Sequence, residues 1–442
     1  MAKTLTARVL KATSLLGSTQ GVNMLCSIVR TKALAMLIGP VGVGLFGAVS
    51  QAADMIGNFT QLNVRTSAVP ALSAASAGRF DEMLISVRRC GRLLGIVGMV
   101  LMFLLAPLLS EAVYHSGEYT GAFRITAVSL LFVALQGSEL VVLQATSRYK
   151  PIAASGLFTA LTGMPLAIAL YFWLGIDGVA PGIVAYSVLA FAGSWWFTRR
   201  YRPVGPKPSW RHSLNLGYGF VKVGLLLTLT SLATYGVNFV FMAFMRGNDE
   251  ALGLYQAGYK VVWSYTGVFF MAFSMEFYPR LSKTVHNSRH VSLLISHQAA
   301  LSSAVLAVGA AAVVALTPWL MPLLYRGDFS GADAYVRWGM VGMAFRPLSM
   351  AMSYSFLAAG RSRVYCATEV ISALCGLVLN VAGYRMAGFS GLGIATALWM
   401  FLELFIMLLA ARFSCAPLPR SLALLPALAA PLPALLLCLL LA

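Results

Sequence analysis

Charge is the scarcest commodity in this sequence. Asp, Glu, Lys and Arg make up only 10% of its 442 residues, where a soluble chain carries about 25%. A chain this short of charge has no polar surface to wrap around a core, which excludes an ordinary soluble domain. Acids are the scarcer sign, 14 against 32 Lys and Arg. Paired cysteine signals are missing too: Cys26, Cys90, Cys366, Cys375, Cys415 and Cys438 form no C-x-x-C and have no His at metal-ligand spacing. They read as small hydrophobes, and no metal or cofactor is expected. The chain also lacks a P-loop, an H-E-x-x-H and a nucleophile elbow, so it is not expected to be an enzyme.

What the sequence has is apolar length. It is 59% hydrophobic with a mean hydropathy of +0.80, and runs of the ~20 residues needed to cross ~30 Å of hydrocarbon recur almost to the C-terminus. The spans are 13–38, 43–66, 91–110, 123–145, 151–174, 179–198, 217–244, 252–278, 292–316, 334–358, 364–386 and 391–412, twelve helices in all. Lys3, Arg8 and Lys11 before the first run suggest a signal peptide, but Gln20, Asn23, Arg30 and Lys32 interrupt a run too long for one. It reads as a retained first helix. The tail from Ser421 to Ala442 is apolar enough for a thirteenth span, although Pro426, Pro431 and Pro433 interrupt its helix.

The net charge of +18 would suggest nucleic acid in a soluble protein. Here the cations sit in short loops between apolar runs. Assigning alternate loops to alternate sides puts twenty-one Lys and Arg on one side and only Arg124, Arg246, Arg326, Arg337 and Arg385 on the other. The positive-inside rule then places both termini of the twelve-helix core in the cytoplasm, and no nucleic-acid partner is expected.

The chain also repeats itself. Gly117-Glu-Tyr-Thr-Gly-Ala122 returns as Gly327-Asp-Phe-Ser-Gly-Ala332 at an offset of 210, Gly44-Leu-Phe46 as Gly253-Leu-Tyr255 at 209, and Gly178 as Gly391 at 213. Two copies of a six-helix unit follow, and because six is even they share one orientation. The expected fold is an all-α integral membrane protein with two parallel six-helix lobes: residues 1–205, residues 206–412, and an apolar tail 413–442. The boundary falls in the linker 199–216, rich in Pro and cations. Transporters built from parallel repeats bind substrate between their lobes and expose it to alternate sides. Gly42-Val-Gly-Leu-Phe-Gly47 fits the dinucleotide fingerprint G-x-G-x-x-G, but it follows a membrane helix instead of a strand and its repeat partner has lost the pattern, so it reads as turn and packing glycines.

Ionisable residues inside spans mark functional sites by default, since burying them in hydrocarbon is costly. The cations are Arg30, Lys32, Arg65, Lys222, Lys260 and Arg346, and the acids Asp54, Glu139, Glu276, Glu369 and Glu403. By position along each span, Arg346, Asp54 and Glu403 lie nearest mid-depth, while Lys32, Arg65 and Lys222 are close enough to an end to snorkel. Scaffold residues should recur in both repeats. These do not: Arg30 maps to Phe239, Lys260 to Gln51 and Arg346 to Gln136. A cavity receiving an anion accounts for such unshared cations, and buried ion pairing, as between Arg30 and Asp54, is the competing reading. Asp54 and Glu403 are candidates to carry a coupling proton. Aromatics crowd the eighth span, from Tyr255 to Tyr278; most read as packing, with a subset suited to a sugar or an isoprenoid chain.

Twelve helices in two lobes, first-helix cations before Gly39-Pro40-Val-Gly-Val-Gly44-Leu-Phe, and an eighth helix running from Gly253-Leu-Tyr-Gln-Ala-Gly-Tyr-Lys260 to Phe277-Tyr-Pro-Arg-Leu-Ser282 together resemble a Wzx-type polysaccharide flippase of the MOP superfamily. The likeness covers roughly residues 10–412. It implies a bacterial inner-membrane protein turning an undecaprenyl-pyrophosphate-linked oligosaccharide from the cytoplasmic to the periplasmic leaflet. Its use would be in O-antigen, lipopolysaccharide, capsule or exopolysaccharide assembly, with membrane lipids and polymerase machinery as neighbours. The family's cationic interlobe cavity would carry over to Arg30 and Lys32, and further to Lys222, Lys260 and Arg346. The alternative is a cation-coupled multidrug exporter of the same superfamily. Such exporters need cavity carboxylates, often on the first helix, where this chain has two cations and no acid. A lipid-modifying membrane enzyme would need a polar cluster at one interface, and the sequence shows none.

Overall fold

The structure, a computed structural model, describes residues 2–61, 68–69, 72, 75, 77–146, 148–201, 208–245, 248–284, 287–325, 327–414 and 428–440. No strand occurs among them. In hydrocarbon every backbone polar group needs a partner, and a helix supplies all of them within one segment. The helices are α1 (Ala2–Leu37), α2 (Pro40–Gln61), α3 (Ala77–Tyr114), α4 (Thr120–Ala145), α5 (Tyr149–Leu174), α6 (Val179–Thr198) and α7 (Trp210–Phe244), then α8 (Asp249–Tyr259), α9 (Thr266–Thr284), α10 (Ser288–Leu324), α11 (Asp333–Met343), α12 (Arg346–Ala358), α13 (Ser362–Phe413) and α14 (Leu432–Leu440). Each of the twelve expected spans is helical over its described residues apart from Ile38 at the end of the first and Ala344 and Phe345 within the tenth.

Five described stretches are long and apolar enough to cross a membrane, and two of these, Lys150–Thr198 and Ser362–Phe413, are hairpins of two spans. Their turns are copies of each other. Gly175 has φ 59° and ψ −132°, and Gly388 has φ 57° and ψ −135°, values open to glycine and strained for any other residue. Three residues after each turn a second glycine lets the two helices touch. A Cβ on Gly178 would strike the carbonyl oxygen of Leu170, and one on Gly391 that of Gly383. All three pairs share the offset of 213 found in the sequence, so the duplication reaches down to backbone torsions.

Two spans are interrupted. The tenth stops at Ala344 and Phe345 and restarts at Arg346, with Pro347 in the first turn of α12. Proline has no N–H to offer the preceding turn and its ring crowds the carbonyl four residues back. In the eighth span, α8 and α9 are joined by a π-helical turn, Lys260–Tyr265, which inserts one residue into the helix and re-aims the side chains beyond it; such turns concentrate at functional sites. Lys260 and Arg346, two of the six cations expected inside spans, thus both sit at breaks: Lys260 opens the π turn and Arg346 begins the helix after the interruption.

The chain forms two compact units, Met1–Asp249 and Glu250–Ala442. In the first, α1 packs on α5, α5 and α4 on α6, α3 on α4, and α7 on α2 and α3. The repeat assigns α7 to the second half, after the boundary at 205/206, but the linker is pinned to the first unit. Arg88 of α3 donates to the Tyr201 carbonyl, and Arg89 donates to the Pro208 carbonyl and to Ser213 Oγ at 2.6 and 3.0 Å while stacking on Trp210. In the second unit α9, α12 and α13 share an apolar core of Phe273, Phe277, Leu348, Met352, Phe356 and Leu404. The tail helix α14 packs on α10 and α11; its nine residues extend only ~14 Å, about half a hydrocarbon thickness.

Candidate functional site

In the second unit the interrupted tenth span places Arg346 against the π turn of the eighth. Its guanidinium lies 4.8 Å from the ring centre of Trp263 and 5.5 Å from that of Phe270, and Nη1 is 3.9 Å from Met400 Sδ. Trp263 in turn packs on Trp399, with ring centres 5.1 Å apart. Glu403, only 6% exposed, accepts a hydrogen bond from Ser349 Oγ at 3.4 Å and feels the charges of Arg346 and Glu369. Glu369 accepts from Ser353 Oγ at 2.7 Å. The aromatic crowding of this helix therefore divides: Phe273 and Phe277 are core, whereas Trp263 and Phe270 clamp the cation.

In the first unit Arg30 has an analogous setting. Its guanidinium stacks on Phe46 of α2 at 5.1 Å and on Tyr186 of α6 at 4.8 Å. Asp54 does not pair with it. Arg88–Glu139 and His212–Glu82 form ion pairs, whereas neither Arg30 nor Arg346 has a carboxylate within 4.0 Å among the described residues. Glu139 is thereby explained as structure: both its oxygens accept from Arg88, at 2.9 and 2.7 Å.

A cation–aromatic contact contributes about 0.5–2 kcal/mol, but it engages the face of the guanidinium and leaves its five edge donors unused. Arg346 directs one donor weakly to sulfur, and Arg30 has no hydrogen bond among the described residues. Both side chains are held in place with their hydrogen-bonding edge available, which is the form of arginine suited to a phosphate.

Asp54 faces a cavity of about 840 Å³ inside the first unit, within the ~300–1,000 Å³ of small-molecule sites. The walls carry Asn23, Asn58, Gln61, Gln136 and Gln144, the hydroxyls of Ser129, Thr159 and Ser187, and Tyr186. Asp54 is the charged residue among the described lining residues. The sequence singles out Asp54 by its charge but not the amides, which carry no charge to set them apart from other helix-surface polar groups; their one mark in the sequence is Gln136, the repeat partner of Arg346. Lys32 and Lys260 are half-buried. Arg65 and the side chains of Lys222 and Glu276 lie outside the described residues.

Breaks in membrane helices beside buried charges, in a duplicated helical fold, define a transporter-like membrane protein. The model of the family described as "Polysaccharide biosynthesis protein" matches residues 9–285, and the chain belongs to that family. No curated protein sequence matches it. Among solved structures, "Lipid II flippase MurJ, inward closed conformation" is similar with a TM-score of 0.70 and 15% identity, over 96% of this chain and 92% of that one. An inward-facing multidrug resistance MATE family transporter of the MOP superfamily also scores 0.70, at 12% identity over 89% and 94%. The Vibrio cholerae MATE transporter VcmN in its bent form scores 0.61, at 14% identity over 93% and 97%. The fold is that of the MOP transporters.

Proposed function

We propose that this protein is a flippase that moves an undecaprenyl-pyrophosphate-linked oligosaccharide from the cytoplasmic to the periplasmic leaflet of a bacterial inner membrane, serving O-antigen, lipopolysaccharide or related polysaccharide assembly. The observation that carries the reading is the state of Arg30 and Arg346: two half-buried guanidinium groups on expected membrane spans, each fixed on aromatic faces and without a contact carboxylate among the described residues. A cation within a span and left without a counter-charge is costly, and a diphosphate supplies the missing charge and acceptors. The family match and the likeness to a lipid II flippase support a lipid-linked glycan as the passenger. The loop charges favour cytoplasmic termini for the twelve-helix core. Arg30, Lys32, Lys222, Lys260 and Arg346 are the proposed substrate contacts, and Asp54 and Glu403 the proposed coupling carboxylates.

Arg30→Ala and Arg346→Ala should each abolish surface polysaccharide in a strain deleted for its own copy, with the protein inserted at normal abundance. Arg→Lys should restore export only in part, because an ammonium lacks the fork that grips two phosphate oxygens. Normal polysaccharide in both Ala variants sinks the proposal. A cation-coupled drug exporter is the second reading, favoured by Asp54 facing a cavity whose described lining residues include no Lys or Arg. In that case dye resistance, not polysaccharide, is the phenotype that falls.

A further inference from the structure

A lipid-linked oligosaccharide has three parts of different chemistry: a hydroxyl-rich sugar, a diphosphate and a long apolar chain. The first unit presents three surfaces of matching chemistry side by side. The first is the amide- and hydroxyl-lined cavity. The second is Arg30, whose guanidinium covers the Tyr186 ring that itself forms part of the cavity wall. The third is an apolar groove of about 690 Å³ between α1 and α5, lined by Ala33, Met36, Met164, Ala169 and Phe172 among others.

The junction between them is tight. The Tyr186 ring is seated on Gly163, where a Cβ would come within 2.6 Å of it, and the next residue, Met164, already lines the groove. Tyr186 therefore stands between cavity and groove, with Arg30 on its face. On α1, at 3.6 residues per turn, Ala33 and Met36 fall around the circumference between Arg30 and Lys32. The groove's α1 wall is thus flanked by a cation on each side. A simple lipid-facing depression needs no such flanking charge.

The geometry points to the first unit as a binding site for the whole amphiphile: sugar in the cavity, diphosphate on Arg30 and Lys32, and isoprenoid chain in the α1–α5 groove. This rests on the flippase reading and adds the location of each part of the substrate. Charge complementarity selects the occupant, because an apolar chain attached to two phosphates satisfies groove and cations together. The cavity's amides pair with hydroxyls as both donor and acceptor, and the Asp54 carboxylate disfavours acidic sugars.

The test uses the full-length protein in nanodiscs of phosphatidylethanolamine and phosphatidylglycerol, with a photoreactive benzophenone amino acid replacing Ala169 in the groove, Val133 in the cavity wall, or Val308, an exposed apolar position of the second unit. The probe is radiolabelled undecaprenyl diphosphate N-acetylglucosamine. Capture at 169 and at 133 should exceed that at 308 by more than tenfold, and unlabelled undecaprenyl diphosphate should compete where undecaprenol does not. The Arg30→Ala/Lys32→Ala double variant should lower capture at 169 at least tenfold, while Arg30→Lys/Lys32→Arg, which keeps both charges, retains most of it. Capture at 133 with only background at 169 overturns this inference and leaves the flippase standing. Background at both positions sinks the two together. Equal capture of radiolabelled phosphatidylglycerol at 169 reduces the groove to a site for bulk lipid and also overturns the inference.

Discussion

At an offset of 210, Arg346 of one repeat stands where the other has Gln136, and Gln136 lines the first unit's cavity. The same position thus carries a fixed charge in one unit and a neutral amide in the other. Position along each span was enough to single out Arg346, Asp54 and Glu403 from sequence, because a charge in hydrocarbon is rare whatever surrounds it. What lies around them was not legible. The stacking of Arg346 on Trp263 depends on the π turn, and the pairing of Glu139 with Arg88 joins residues on different helices. If Arg346 meets a diphosphate in a region of low dielectric, one unit of charge matters far more there than in water. Arg346→Glu should then lower export further than Arg346→Ala, since repulsion of the substrate adds to the lost attraction. A cationic-drug exporter predicts the reverse order. Surface polysaccharide and resistance to cationic dyes, scored at matched expression, separate the two, and better export by Arg346→Glu than by Arg346→Ala rules out an anion at this residue.

Single residues decide where the elements bend and turn. The hairpin glycines were visible in the sequence as a repeated pair, Gly178 and Gly391, although the residues that take the positive φ are Gly175 and Gly388, three positions earlier. Neither break is read from the sequence: Pro347 lies within an apolar run that reads as one continuous span, and the π turn at Lys260–Tyr265 has no compositional mark, since an inserted residue leaves the hydrophobic pattern almost intact. Because the two turns share their torsions, their substitutions should behave alike. Gly175→Ala and Gly388→Ala should each destabilise the protein by ~1–3 kcal/mol, the usual strain of a side chain in such a conformation, read as a lowered Tm of the purified protein. Gly178→Ala and Gly391→Ala should be worse, because the new methyl meets a backbone carbonyl that cannot move without parting the helices. Gly121→Ala, in a helix with nothing within 4 Å of the added Cβ, should be close to neutral. Unequal losses at the two turns would mean that their surroundings, not their torsions, set the strain.

At the level of the whole chain, the duplication and the twelve spans were readable because both rest on periodic apolar length, while the compact-unit boundary was not. The repeat ends near residue 205, yet α7 joins the first unit because Arg88 and Arg89 hold the linker there through backbone carbonyls that no residue pattern announces. Each unit then contains an arginine held against two rings and a carboxylate near mid-span, Arg30 with Asp54 and Arg346 with Glu403, and in neither is the pair in contact. A carboxylate with no arginine within 4.0 Å is free to change protonation without breaking a salt bridge, and in the proposed cycle it would respond to a proton gradient while the arginine holds the anion. The whole-molecule prediction is that Asp54→Asn/Glu403→Gln leaves substrate capture intact but removes the dependence of export on the proton gradient. Polysaccharide export in cells carrying the wild type should fall when an uncoupler is added. In the double variant it should be slow and unaffected by the uncoupler, because neither of the two proposed coupling carboxylates remains to link the gradient to the transport cycle. Each single variant should retain part of the response, since either carboxylate can carry a proton alone. An uncoupler response in the double variant equal to that of the wild type would remove Asp54 and Glu403 from the coupling path and return them to the role of shaping the field around the two arginines.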